Sequence, residues 1–355
     1  MFRKKPIPET VLFPHWVHST TPPPLAPEPD RADALIRDVT GGRIQKEAYP
    51  NHARVELTVS CHDCDAIPKV PNAGDVIEEN GVRVQVMHNG LRIAEGSYLG
   101  SWTTEIIRRL KGHHEPQEEL LFSEVLRHVA PGGVMAELGA NWAWYSLWFH
   151  HAVPDAVNWM LEPNPHNLEA GKRNFALNGF TGHFLQAVSG QRSAAGKRFY
   201  CAEDGRVIHV RQLSVDDLLD SEGIARLDLL HADIQGAEYE TLLGAERSVA
   251  AGRLRFVFLS THHYAISGDP QAHQRCIAFL KAHGASILAE HSVSESFSGD
   301  GLIVASFDPA DRAIALPPIS RNLPRFSLWP EPEYDLAIAA RRVGPFTRLR
   351  VRLGL

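Results

Sequence analysis

The sequence predicts an α/β three-layer sandwich, with a seven-stranded, mainly parallel sheet between helices and a small β-rich element ahead of it. Three observations predict it. Between residues 134 and 306, short apolar runs alternate with segments of helical spacing, and βα alternation builds a parallel sheet. The first two runs end in acidic residues, Glu137-Leu138-Gly139 and Leu161-Glu162-Pro163, 25 residues apart. Upstream, Val82, Val84 and Val86 alternate with polar residues and are followed by Leu91 and Ile93, with Asn89-Gly90 between them as a hairpin turn.

The elements follow in order. The first 30 residues hold eight of the 24 prolines, so residues 1–50 are expected as an extended arm. Residues 51–112 read as β-rich, beginning with the alternating Val55, Leu57 and Val59. The main domain spans 113–310, and 311–355 form a C-terminal extension. Glu115-Pro116 opens a helix carrying Leu121, Phe122, Val125, Leu126 and Val129, and Pro131-Gly132-Gly133 closes it. Strands are expected at 134–138, 157–161, 183–188, 227–233, 256–260, 286–290 and 302–306. Helices are expected at 144–151, 167–177, 238–250 and 271–283, with a hairpin insertion over 196–213. Ser214-Val215-Asp216-Asp217 resembles a capping box before a short helix.

Composition narrows the function. Net charge −6 argues against a general nucleic-acid binder, whose surface would be basic. Arg341, Arg342, Arg348, Arg350 and Arg352 near the end read as a solvated tail or as a contact for an anionic lipid or phosphorylated substrate. The basic start is broken by Pro6, Pro8 and Pro14, and Glu137, Asn141, His150 and His151 interrupt the most apolar stretch. No signal peptide and no transmembrane segment is expected, and the default location is cytoplasmic. Four cysteines are too few for a disulfide scaffold; Cys61 and Cys64 form a lone CxxC without further zinc ligands, read as free thiols, and no metal site is expected.

In such sheets ligands sit outside the carboxyl ends of the strands, so the residues after each strand carry the chemistry. Gly139 permits a tight turn beside a nucleoside. Asn141 and Ala143 stand where a dinucleotide site would want further glycines, and no basic residue awaits a phosphate. A carboxylate such as Glu137 suits a cationic cofactor better. Glu162 is placed to accept from ribose hydroxyls. Ser189, after the third strand, is placed either to bond an adenine nitrogen or to cap a turn. Asp233 follows the fourth strand, before Gly236-Ala237-Glu238. His262 and His263 end the fifth strand, where a histidine suits a general base, and His231 lies just before Asp233. Ser298-Gly299-Asp300-Gly301 reads as a substrate border or a hairpin turn.

The run Glu137-Leu138-Gly139-Ala140-Asn141-Trp142-Ala143-Trp144-Tyr145-Ser146, the run Asp233-Ile234-Gln235-Gly236-Ala237-Glu238, the Glu115-Pro116 pair and Glu162 together resemble the FkbM family of methyltransferases over residues 113–306. The resemblance implies a Rossmann-like class I methyltransferase fold, S-adenosyl-L-methionine as cofactor, and O-methylation of a sugar, glycolipid or polyketide-type small molecule. It implies that Glu137, Gly139, Asn141, Glu162, Ser189 and Asp233 hold the cofactor, and that Asp233 with His231, His262 or His263 orients or deprotonates the acceptor. Ala143 replaces a family glycine and Gln235 a family carboxylate. Those departures motivate the alternative of an inactive scaffold of the same fold.

Overall fold

The computed structural model describes residues 51–201, 205–269, 271–323 and 327–329, so the proline-rich arm and the arginine-rich tail lie outside the described residues. The described residues begin with helix α1 (Asn51–Val59), where alternation predicted a strand. Val55 packs into the main core while Leu57 meets a separate cluster of Cys61, Phe297 and Leu328. A helix buried on two sides shows apolar residues at spacing two, and tertiary packing decides its conformation. Strands β1 (Val76–Glu79), β2 (Val82–Val86) and β3 (Arg92–Ala94) then form an antiparallel sheet with Asn89-Gly90 in the connection. Gly90 has φ +86°, and Asn89 Oδ1 accepts from Leu91 N at 3.2 Å. Helix α2 (Ser101–Arg109) follows, and α3 (Pro116–Leu126) starts with Pro116 in its first turn, where the missing N–H costs nothing.

The main sheet runs through β4 (Val134–Leu138), helix α4 (Trp144–Ala152), β5 (Val157–Leu161), α5 (Pro165–Leu177) and β6 (His183–Leu185). The strand expected at 183–188 divides: β6 stays in this sheet, and β7 (Ala187–Ser189) joins β8 (Ala194–Cys201) and β9 (Arg206–Leu213) in a second, three-stranded sheet. That second sheet contains the expected hairpin. Helix α6 (Val215–Ser221) is capped by Ser214, whose side chain accepts from Asp217 N. Strand β10 (Leu227–Ala232) leads to α7 (Glu238–Leu243) and α8 (Glu246–Ala250), expected as one helix. The break falls at Gly244, where a Cβ would lie 2.4 Å from the Gly190 carbonyl oxygen, so the crossing loop splits the helix. Strand β11 (Leu254–Thr261), helices α9 (Tyr264–Ser267) and α10 (Ala272–Ala282), and strands β12 (Ser286–His291) and β13 (Gly301–Ser306) complete the sheet.

The strand order is β12-β13-β11-β10-β4-β5-β6, parallel except for β13, which pairs antiparallel with both neighbours. This is the seven-stranded, mainly parallel α/β sandwich that the sequence predicts. Both faces are buried. Met135, Met160, Phe256, Phe258 and Val304 join one core, packed with Phe122 of α3 and Trp144, Leu147 and Phe149 of α4. Ala136, Leu161, Val257, Leu259 and Ile303 face the other, against Leu218 of α6, Leu242 of α7 and Ile277 of α10. Chain direction across the sheet reverses between β4 and β10, and the loops beyond their carboxyl ends flank the switch point. Cys61, Cys64, Cys201 and Cys276 are buried and free, and burial pushes the Cys61 thiol up.

Candidate active site

The loop after β4 is held by backbone. Gly139 N and Ala140 N both donate to the Leu161 carbonyl, at 2.8 and 2.9 Å. Asn141 and Ala143 then take left-handed conformations, φ +46° and +61°. Glu162, at the end of β5 and buried, staples this loop: Oε2 accepts from Asn141 N at 2.9 Å and Oε1 from Asn164 N at 2.8 Å. Gly139 has φ +75°, and a Cβ there would lie 1.9 Å from the Asp233 carbonyl oxygen. Contact between two strand-end loops therefore demands this glycine.

Glu137 lies beneath the first turn of α4, where its Oε2 accepts from Ser146 N at 2.9 Å and satisfies an amide the helix leaves open. Burial raises its pKa, against His231 and Ser146. His231 is likewise internal, with Nε2 2.7 Å from Glu118 Oε1 and its ring stacked on Tyr145 at 4.3 Å. Burial works against its charged form, but Glu118 outweighs it and raises the pKa. Ser189 lies on β7, where its Oγ accepts from Thr241 Oγ1 at 2.8 Å. His263 stacks on Trp329, 4.5 Å between centroids, and burial lowers its pKa to about 4.

Asp233 and His262 do meet. Nε2 of His262 lies 3.2 Å from Asp233 Oδ1 and 3.5 Å from Asp300 Oδ1, while Nδ1 lies 2.9 Å from Glu238 Oε1. Glu238, the first residue of α7, also accepts from Gly236 N at 3.1 Å, which fixes the turn. Gln235, with φ +54°, brings its side-chain amide 2.8 Å from His262 Nε2, and a protonated ring there requires the amide oxygen to face it. Burial disfavours the His262 imidazolium, yet Asp300, Glu238 and Asp233 together hold its pKa well above the usual histidine range.

The two aspartates are driven apart. Asp233 pays for burial, but its contact with His262 lowers its pKa overall. Asp300 is raised to about 7 by burial and by the charges of Asp233 and Glu115, against His262 and Arg54. Glu115, the residue before α3, joins this group: its Oε2 accepts from Tyr145 Oη at 2.8 Å and lies 3.2 Å from His114 Nε2. Tyr98 stacks on Trp142 at 5.1 Å, and burial together with Glu115, Asp233 and Asp300 raises its phenol pKa. The centre thus adds Glu115, Glu238, Asp300 and Tyr98 to the sequence-derived Asp233 and His262. Asp300 carried a signal in the Ser-Gly-Asp-Gly turn just before β13. Tyr98 carried none, because the loop after β3 has no motif.

His88, His113 and Glu119 each place one ligand-type atom within 4.8 Å of the others. The two rings are stacked face to face, 4.2 Å apart, and the Glu119 carboxylate is taken by His113, His114 and Trp144. His88 Nδ1 and His113 Nε2 remain buried without a hydrogen-bond partner. Among the described residues, no helix is long and apolar enough to cross a membrane.

Residues 128–287 match the family described as "Methyltransferase FkbM domain". No curated protein matches the sequence. Among solved structures, the chain is similar to the O-methyltransferase from Bacillus cereus in complex with SAH, at 15% identity over 54% of this chain and 80% of that one, TM-score 0.35. It is similar to TrmK of M. capricolum in complex with S-adenosyl-homocysteine, at 9% identity over 55% and 74%, TM-score 0.35. A precorrin-6y C5,15-methyltransferase from Geobacter metallireducens matches at 15% identity over 53% and 86%, TM-score 0.33.

Proposed function

We propose, from the premise that residues 128–287 form an FkbM-type methyltransferase domain dependent on S-adenosylmethionine, that the chain methylates a hydroxyl group of a sugar, glycolipid or polyketide-type small molecule. The observation that carries this reading is the pair Asp233 and Asp300, two carboxylates on one imidazolium with pKa values pushed in opposite directions. Such a split separates an acid–base group from a fixed charge.

The residues fit the cofactor. Glu162 and Asn141 flank the loop that would receive its nucleoside. Glu115, Asp233 and Asp300 gather negative charge suited to a sulfonium and an ammonium group, and residues 139–143 offer no basic side chain for a phosphate. S-adenosylmethionine, when bound, supplies an electrophilic methyl group on sulfur. The chain's own residues do the rest. Asp300 takes the proton from the acceptor hydroxyl, since its pKa near 7 lets it be deprotonated and still basic at neutral pH. Asp233 stays ionised and orients. His262 is charged in this pH range, so it acts as a positioning residue that locks both aspartates and Glu238. Holding the acceptor oxygen in line is worth roughly 7–11 kcal/mol in favourable systems.

The test is calorimetric titration with S-adenosylhomocysteine, then labelled methyl transfer to a panel of sugars across the neutral pH range. The rate should rise with pH to a plateau above about 7 and collapse in Asp300→Asn. A folded sample that binds no S-adenosylhomocysteine refutes methyl transfer. Full turnover by Asp300→Asn refutes the choice of base.

A further inference from the structure

Beside Asp300, two hydrogen-bond donors lie close together, and among the described residues neither has an acceptor. Arg54, from α1, lies with its guanidinium 5.1 Å over the Trp102 ring. Its Nε is buried without a hydrogen-bond partner, and among the described residues Arg54 makes no ion pair. Trp329 is held flat against His263, and among the described residues its indole N–H has no acceptor. Arg54 Nη2 and Trp329 Nε1 lie 3.6 and 3.7 Å from where a Cβ on Gly299 would sit. The small side of Gly299 therefore borders both donors, with Leu328 Cδ1 at 3.4 Å closing the same space. Asp300 feels the charge of Arg54 without bonding to it. A guanidinium fixed by an aromatic face and, among the described residues, without a bonded carboxylate is a ready oxyanion receptor, because charge-assisted bonds to planar or tetrahedral oxyanions are its strongest contacts.

We infer that the acceptor carries an oxyanion, a carboxylate or a phosphate, near the hydroxyl to be methylated, and that Arg54 and Trp329 bind it. The inference rests on the methyl-transfer reading above and deepens it. Arg54, Gly299 and Trp329 all lie outside residues 128–287, so acceptor choice is made by the flanking segments rather than by the matched domain.

The experiment uses the full chain saturated with S-adenosylhomocysteine and titrated with D-glucose, D-glucuronate and glucose 6-phosphate. Ligand-observed NMR supplies the affinities. At least one charged sugar should bind about tenfold or more tighter than glucose, the scale of a hydrogen bond to a charged group. Whichever of glucuronate and the phosphate is preferred identifies the oxyanion. Arg54→Gln should erase the preference. Trp329→Phe, which keeps an aromatic ring against His263 but removes the indole N–H along with part of the ring area, should weaken it by a smaller factor. Thermal melting establishes that both variants are folded. Equal affinity for charged and neutral sugars in the wild type, or a preference that survives Arg54→Gln, overturns the inference while leaving the cofactor reading intact. Failure of the wild type to bind S-adenosylhomocysteine overturns both.

Discussion

Glu162→Ala tests whether one carboxylate both shapes the cofactor loop and binds within it. In the structure its two oxygens accept from Asn141 N and Asn164 N, at 2.9 and 2.8 Å. Removing the side chain leaves two amides without their acceptors, at about 1–3 kcal/mol for each one that stays buried. Asn141 is held at φ +46° partly by that bond, so its strain of about 1–2 kcal/mol is then less well opposed. The total is roughly 2–6 kcal/mol. For a domain of this size each kcal/mol moves Tm by about 2–4 °C, so a fall of roughly 4–24 °C is expected. Differential scanning fluorimetry reads the fall, and hydrogen exchange at Asn141 and Asn164 localises it. Glu162→Gln retains one carbonyl acceptor and should recover part of the stability. If a ribose needs the carboxylate, that variant recovers little of the S-adenosylhomocysteine affinity. A Tm within about 2 °C of wild type for Glu162→Ala, with both amides still protected, refutes the staple.

Three further outcomes follow from the geometry. Gly139→Ala should cost more than about 3 kcal/mol in urea denaturation, because it combines positive φ with a Cβ 1.9 Å from the Asp233 carbonyl oxygen; a native midpoint refutes the close approach. Stability should fall on both sides of a plateau between about pH 5 and 6.5. Burial disfavours the His114 imidazolium, but Glu115 and Glu119 raise its pKa to about 10, so its contribution is complete below pH 6.5 and lost as pH climbs through 10. Burial of Glu119 is outweighed by His113 and His114, which depress its pKa, so its contribution is present above the usual carboxylate value and lost on acidification. Glu119→Ala should flatten both arms and cost about 3–5 kcal/mol, and urea midpoints across pH read this directly. His262→Gln should shift the pH–rate profile as well as lower the rate, because Asp300 loses its counter-charge and its pKa rises; a lower rate with an unmoved profile refutes the positioning role.

The sheet was legible because its strands are buried on both faces and bounded by turn residues, so each appears as a short apolar run. Misreadings arose where packing overrode local pattern. Helix α1 is buried on two sides and imitates a strand, the strand expected at 183–188 divides because Ala187–Ser189 pairs with β9, and the helix expected at 238–250 breaks where Gly190 crosses Gly244. The positions of Glu162 and Asp233 beside the loop after β4 were readable because a strand end is a fixed address in this fold. Glu137 and His231 stand at similar addresses, but their side chains turn inward to Ser146 and Glu118, and strand parity at a loop is not readable from sequence. Tyr98 and Arg54 enter from elements whose docking the sequence does not encode locally.

The parts contributed by the strand ends, Glu162, Asp233 and His262, are fixed by backbone amides and by one another, and they suit a cofactor that is the same in every turnover. The parts contributed by flanking segments, Arg54, Tyr98 and Trp329, are held by aromatic stacking on Trp102, Trp142 and His263. Stacking contacts tolerate exchange of neighbouring residues better than a buried ion pair does, since losing one partner there leaves no uncompensated charge. Asp300 joins the two sets, bound to His262 on one side and sensing Arg54 on the other. An acceptor oxyanion seated on Arg54 would offset that cation's charge and raise the Asp300 pKa further, so the pH–rate plateau should lie higher for a charged acceptor than for a neutral one.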